Sequence, residues 1–271
     1  MSIRRNAITG DAILYAPNRA GRPNAFGTDS EAESCAFCPG NESQTPPEIM
    51  RRGDPWRVRA FPNKYPAVPG HEVIVESPAH DAQFIEGRET IEVYIERYSA
   101  HRDAAHVALF TNRGQRGGAS IDHLHSQLMP LSFIPPRIER ERAGFARAKK
   151  CPLCTAPGVV IAEDEGFVWV APEGSEHAYL QWIIPRRHQP EISTLSSAEI
   201  ESLAVFLERA GRATASIASS SNVLHMNFAG QPSAHLYIEV FPRLTSVAGF
   251  ELATGTFIDI IDPAAAARAL R

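Results

Sequence analysis

Two Cys-x-x-Cys pairs and one His-x-His-x-Gln run are the parts of this sequence best equipped for chemistry. Cys35 and Cys38 form one pair and Cys151 and Cys154 the other, nearly half the chain apart. Thiols at that spacing bind metals or cycle as redox pairs, and in a reducing compartment they do not read as structural disulfides. Histidines fall into step with them: His80 and His123 follow the first pair, His188 and His235 the second. Two thiolates and two imidazoles make a closed tetrahedral zinc set with no open position for water, so each set would staple its half and not catalyse. A redox pair, or cysteines that are merely buried, is the other reading of either motif. Duplication of the whole arrangement favours zinc at both, with the second the freer to decay.

The sharpest motif is Asp122-His123-Leu124-His125-Ser126-Gln127. Residues i and i+2 of a strand share a face, so His123, His125 and Gln127 are expected to project together. A Gly-rich approach, Asn112 to Ser120, precedes them. Glycines there would let the backbone come close to a ligand, with backbone amides, Asn112 and Ser120 offered to phosphate oxygens.

Such residues need elements to hold them, and the order of elements repeats. After Cys38 the patterns predict strands over 57–63, 71–77 and 106–112, with a helix before the last, and a further strand beginning at His123. After Cys154 the same order returns: strands over 167–171 and 179–184, a helix, then strands over 222–228 and 235–241. Val73 and Val75 alternate with Glu72, Ile74 and Glu76, as a strand requires. Ile91, Tyr94, Ile95 and Tyr98 recur at helical spacing; Leu203, Phe206 and Leu207 do so in the second half, opened by a Ser196-x-x-Glu199 capping box. Pro135-Pro136 and the charged run after it read as a connector with helical character. The expectation is an α+β chain of two pseudo-repeated halves, 1–150 and 151–271, each an antiparallel sheet with one long helix.

The composition of the 271 residues accommodates this. With 27 basic and 31 acidic side chains the net charge is −4, which argues against non-specific grip on nucleic acid but allows a local basic pocket. Only Lys64, Lys149 and Lys150 of the basic residues are lysines, and arginine forks suit phosphate. No stretch is apolar enough for a membrane span or a secretory signal, so a cytoplasmic protein without a membrane partner is expected.

The His-x-His-x-Gln strand resembles the active-site strand of the histidine-triad (HIT) superfamily. The chain as a whole resembles its galactose-1-phosphate uridylyltransferase branch, which also contains ADP-glucose phosphorylase. The likeness is carried by Pro17-Asn18-Arg19-Ala20-Gly21-Arg22-Pro23, by Cys35 to Asn41, by Phe61-Pro62-Asn63, by Glu72 to His80, by the active-site strand, and by Phe241 to Leu244 with Ala248-Gly249-Phe250-Glu251. It implies a HIT-like fold, zinc on Cys35, Cys38, His80 and His123, and a covalent nucleotidyl intermediate on His125. It also implies phosphate binding by Arg19 and Arg22, a nucleotide contact by Asn63, and phosphoryl-oxygen contacts from Asn112, Ser120 and Gln127. A homodimer is implied too, because the sugar end of the family's site comes partly from a second subunit. The corresponding strand of the second half reads His235-Leu236-Tyr237-Ile238-Glu239. It keeps the ligand but replaces the nucleophile, so that half is expected to be catalytically silent.

Glu251 is suited to sugar hydroxyls, but Thr245 and Phe257 stand where some uridylyltransferases carry Lys and Gln, which tells against galactose. Three functions stay open. One is a UDP-glucose–hexose-1-phosphate uridylyltransferase type of nucleotidyltransferase. Another is a phosphorylase that uses inorganic phosphate on an ADP-sugar or dinucleotide with the same His125 chemistry. The third is a zinc-stabilised nucleotide-binding protein without turnover, against which the intact His125, Gln127, Arg19 and Arg22 argue.

Overall fold

The computed structural model describes residues 2–5, 12–16, 35–85, 87–155 and 158–271. A short hairpin of β1 (Ser2–Arg5) and β2 (Ala12–Tyr15) comes first. The first half then supplies β3 (Met50–Arg52), β4 (Val58–Pro62), β5 (Glu72–Val75), α1 (Arg88–Ala100), β6 (His106–Arg113) and β7 (His125–Leu131). After the connector helix α2 (Pro136–Arg147), the second half supplies β8 (Val159–Glu163), β9 (Phe167–Ala171), β10 (Gln181–Pro185), α3 (Ser197–Ile217), β11 (Ser221–Met226) and β12 (Tyr237–Pro242). Two short helices, α4 (Gly249–Thr254) and α5 (Pro263–Leu270), close the chain. None of the helices among the described residues is long and apolar enough to cross a membrane.

The two sheets expected from the sequence are one. All ten strands from β3 to β12 pair antiparallel in the order β3-β4-β5-β7-β6-β11-β12-β10-β9-β8. Read outward from the β6–β11 seam, the two sides have the same order, and Asn112 faces Asn222 across the seam. Edge strands β3 and β8 escaped the sequence reading because each is half-exposed.

Alternation along the strands sorts side chains between two covered faces. Phe167, Trp169 and Ala171 of β9 enter the core under the helices, while Val168 and Val170 enter a second cluster on the opposite face. In β5, Ile74 goes to the helix side and Val73 and Val75 to the other, so every residue of that strand is buried. Helices α1, α3 and α5 pack over the first face through Tyr94, Leu203, Phe206 and Ala267. The capping box forms as expected: Ser196 Oγ accepts the Glu199 amide, and the Glu199 carboxylate accepts the Ser196 amide at 2.7 Å.

Candidate active site

On the face away from α1, α3 and α5, a cavity of about 520 Å³ opens over the first half. Its floor is Phe61 of β4, Val73 of β5 and His125 and Gln127 of β7, and its roof is the loop carrying Cys35, Ala36 and Phe37. Arg59 pins that roof. It is fully buried, donates to the Ala36 carbonyl at 3.1 Å and to Thr45 Oγ1 at 3.2 Å, and lies about 5 Å from the ring centres of Trp56 and Phe61.

His125 is the only imidazole bordering this cavity among the described residues. Its Nδ1 is 2.7 Å from the His123 carbonyl oxygen, which can only accept. The proton of the neutral ring is therefore on Nδ1, and the lone pair is on Nε2. Phe37 holds the ring edge-to-face at 5.1 Å. Gln127 is fixed by His71, whose Nε2 is 3.1 Å from Gln127 Oε1. Asn63 and Ser120 border the same cavity.

Asn112 is one step beyond the Thr111–Ser126 pair, so its side chain shares the face of His125 and Gln127. It borders a smaller adjoining cavity of about 150 Å³, beside His80 and His123. Asn222 fixes it: the Asn222 amide donates to Asn112 Oδ1 at 2.8 Å and to the Gly117 carbonyl at 2.9 Å.

Beside the cavity, Cys35, Cys38, His80 and His123 bring their donor atoms within 4.8 Å of one another. Cys38 Sγ is 3.3 Å from His80 Nδ1 and 3.6 Å from His123 Nδ1, and His123 Nε2 donates to the Ser77 carbonyl at 2.8 Å. Burial and the neighbouring Cys35 thiol push the Cys38 thiol up to about 11. A soft divalent cation relieves that penalty, and an imidazole anchored through its outer nitrogen is how metal-binding histidines are usually held. The donor set therefore fits zinc. Cys151, Cys154, His188 and His235 repeat the arrangement, with 3.3 Å from Cys154 Sγ to His188 Nδ1 and His235 Nε2 bonded to the Pro185 carbonyl. None of the four cysteines is paired in a disulfide.

The family described as "Domain of unknown function (DUF4921)" matches residues 75–270. The chain belongs to the DUF4921 family. Among curated proteins, this DUF4921 chain is 27% identical to "ADP-glucose phosphorylase" of Arabidopsis thaliana, over 99% of the chain and 92% of that protein. It is 23% identical to "Galactose-1-phosphate uridylyltransferase" of Thermotoga maritima, over 100% of the chain and 98% of that protein. The crystal structure of the Arabidopsis ADP-glucose phosphorylase with bound ADP-glucose superposes with a TM-score of 0.80 at 27% identity, covering 100% of this chain and 98% of that one. The expected resemblance and the α+β, HIT-like fold are borne out by these relatives, which are enzymes by name.

The DUF4921 chain departs from the sequence reading in two places. The last strand of the first half starts at His125 and not at His123, which lies just ahead of it and turns Nδ1 toward the thiols. Two of the three glycines of the Asn112–Ser120 approach are used within the chain: a Cβ on Gly114 would sit 2.8 Å from the Ser219 carbonyl oxygen, and one on Gly117 would sit 2.6 Å from that of Ser221. Their close approach is to the start of β11, whereas Gly118 of the same run has only Asn112 Nδ2 near its open side, at 3.8 Å. Glu251, the residue offered to sugar hydroxyls, is half-buried on α4, where its carboxylate accepts the Ala248 amide, outside the His125 cavity of its own chain. Arg19 and Arg22 lie outside the described residues.

The sequence reading missed residues that act through others. Arg59, His71 and Asn222 carry no motif, and a buried polar residue in or beside a strand is the signal that would have marked them. It also missed Arg137 of α2. Trp182 faces Glu239 in the register in which Val73 faces Gln127, so Tyr237 and Glu239 occupy the places of His125 and Gln127. There Arg137 donates to Glu239 at 2.8 Å and to Glu141 at 2.7 Å, Trp182 donates to Glu239 at 3.1 Å, and the Tyr237 hydroxyl donates to Glu141 at 3.1 Å. Burial, with Glu239 beside it, keeps the Tyr237 phenol protonated.

Proposed function

We propose that the chain is a nucleotidyltransferase that passes a nucleoside monophosphate through His125, using a nucleoside-diphosphate sugar as donor. The observation that carries this reading is the His125 tautomer: Nδ1–H is held by the His123 carbonyl, so Nε2 presents its lone pair on the floor of a nucleotide-sized cavity. Nε2 attacks the α-phosphorus, the bond from that phosphorus to the bridging oxygen breaks, and the sugar 1-phosphate leaves with that electron pair. The imidazolium keeps its Nδ1 proton. A phosphate oxygen of the acceptor then attacks the same phosphorus, the P–N bond breaks, and neutral His125 is restored. Gln127, Asn112 and Ser120 serve the phosphoryl oxygens, Asn63 the nucleotide, Arg19 and Arg22 the phosphates, and Glu251 the sugar. Zinc on the two Cys2His2 sets would hold the roof and its counterpart in the second half, supplying structure and no reacting group.

Catalysis belongs to the half spanning 1–150, and 151–271 is silent. The acceptor is a phosphate-bearing molecule, either inorganic phosphate or a hexose 1-phosphate. Similarity to the Arabidopsis phosphorylase at 27% identity over nearly the whole chain, against 23% for the uridylyltransferase, supports ADP-sugar phosphorolysis over uridylyl exchange. The test is incubation with ADP-glucose or UDP-glucose, followed by intact mass under non-acidic quench. An acid-labile adduct of AMP or UMP is expected on the wild-type protein and none on His125→Ala. An adduct that persists in His125→Ala, or none with either donor, refutes the reading.

A further inference from the structure

We infer that His71 is a positioning residue for this site, fixing the Gln127 amide so that its NH2, and not its carbonyl, is presented to the phosphoryl group. The inference rests on the nucleotidyl-transfer reading for its consequence, and on hydrogen-bond logic for its geometry. His71 is buried, at the residue immediately before β5. Its Nδ1 is 3.1 Å from the Ala67 backbone nitrogen, a group that can only donate. Nδ1 must therefore hold a lone pair, and the hydrogen of the neutral ring is on Nε2.

Two side chains among the described residues lie within reach of that hydrogen. Gln127 Oε1 is 3.1 Å away and Asn63 Nδ2 is 3.3 Å away. Asn63 Oδ1 already accepts the Tyr65 amide at 2.8 Å, so its nitrogen end carries hydrogens and cannot accept from Nε2–H. The bond goes to Gln127, and only the oxygen of that amide can receive it. A flipped amide would set NH2 against N–H in a buried place, and losing that bond gives the observed orientation about a tenfold to hundredfold preference.

The polarity of Gln127 thus descends from one main-chain amide at Ala67, through an imidazole, to the side chain that borders the cavity with His125. Oriented this way, Gln127 gives the phosphoryl oxygens a donor. Reversed, it would aim a carbonyl oxygen at an anion. An apolar or packing role for His71 would make no distinction between these two orientations.

The test is a double-mutant cycle on the rate of nucleotidyl-protein formation, read by intact mass in single turnover. His71→Leu is expected to slow transfer by about 10- to 100-fold in the wild-type background and by no more than about twofold in a Gln127→Ala background. His71→Gln, whose amide nitrogen reaches the place of Nε2, is expected to keep more activity than His71→Asn, whose amide does not. Equal slowing in both backgrounds, or equal loss in the two amide variants, overturns the inference. A second measurement needs no turnover and covers the case in which His71→Leu fails to fold. Imidazole 15N shifts of the wild-type protein are expected to show His71 with its proton on Nε2 and His125 with its proton on Nδ1. If no donor labels the wild-type protein, the functional reading fails and these shifts alone decide on His71: a proton on Nδ1 of His71 overturns the inference.

Discussion

Replacing Glu76 by glutamine should change how the stability of this protein depends on pH, and the structure sets the size of the change. Glu76 follows β5 and is buried against α1. One carboxylate oxygen accepts from the Tyr94 and Ser126 hydroxyls, and the other has no partner among the described residues. Burial dominates, and it pushes the carboxyl from 4.5 up to about 7 against the pull of both hydroxyls. The folded protein therefore binds this proton more tightly than the unfolded chain does. Stability falls as pH rises from 4.5 to about 7 and is level beyond it. At 1.4 kcal/mol per pH unit the loss is about 3 kcal/mol. Glu76→Gln keeps the accepting oxygen and removes the titration, while the extra buried N–H adds a constant cost of about 1 kcal/mol. Urea unfolding of both proteins across this pH range gives the difference, in which every other titrating group cancels. The variant should gain about 3 kcal/mol relative to wild type on passing from the acid to the neutral end. A difference that stays flat, or one that shrinks as pH rises, refutes the account.

Two further outcomes follow from the same kind of reading. His225 on β11 is buried with neither ring nitrogen hydrogen-bonded among the described residues, and burial lowers it from 6.5 to about 3. A depressed histidine withdraws stability as pH falls through that window, so His225→Leu should lose less stability than wild type on acidification, by up to about 5 kcal/mol in urea titrations. Under a chelator, metal should leave in two phases. Cys154 and His188 are exposed whereas Cys35, Cys38 and His123 are buried, so the second set empties first, and Cys154→Ser should leave only the slow phase. Metal release from the buried set first would show that exposure does not control access.

What was legible in the sequence is what chemistry or periodicity writes locally. The Cys-x-x-Cys pairs, the histidines in step with them and the Ser196–Glu199 box are each a motif with a physical reason to sit where they do. Helices α1 and α3 were legible from Tyr94 and Leu203 at helical spacing. The fusion of the two sheets was not, because Asn112 and Asn222 meet through backbone pairing across the whole chain, and backbone pairing carries no side-chain signature. Nor was the role of the glycines: Gly114 and Gly117 signal close approach to something, and only the fold reveals that the something is Ser219 and Ser221. His71 was read as a strand start because its value lies in a partner, Gln127, that the sequence does not place beside it.

The asymmetry of the repeat has a physical form on both faces of the sheet. On the cavity face, α2 covers the second half and brings Arg137 to Glu239 and Glu141, so the polar groups at the silent position are satisfied within the chain. On the helix face, Ser126, Tyr94 and Glu76 form a buried polar cluster directly behind the histidine strand. Ser126 faces Ile74 in the register in which Ile238 faces Ile183, so the second half has an apolar side chain where the first has a hydroxyl. Glu76 ionises at a cost, and a core of the second half's kind would avoid it. A buried polar cluster that is closely tied also fixes one arrangement of its strand, and Ser126 stands between His125 and Gln127. The ionisable, hydrogen-bonded cluster is behind the strand that borders the cavity, whereas behind the silent strand Ile238 has the unpartnered His225 as its cross-strand neighbour. If rigidity behind β7 is what that cost secures, Ser126→Ala should broaden the His125 imidazole signals in solution while the equivalent change at Ile238 leaves them sharp; unchanged His125 signals would reduce the cluster to a packing accident.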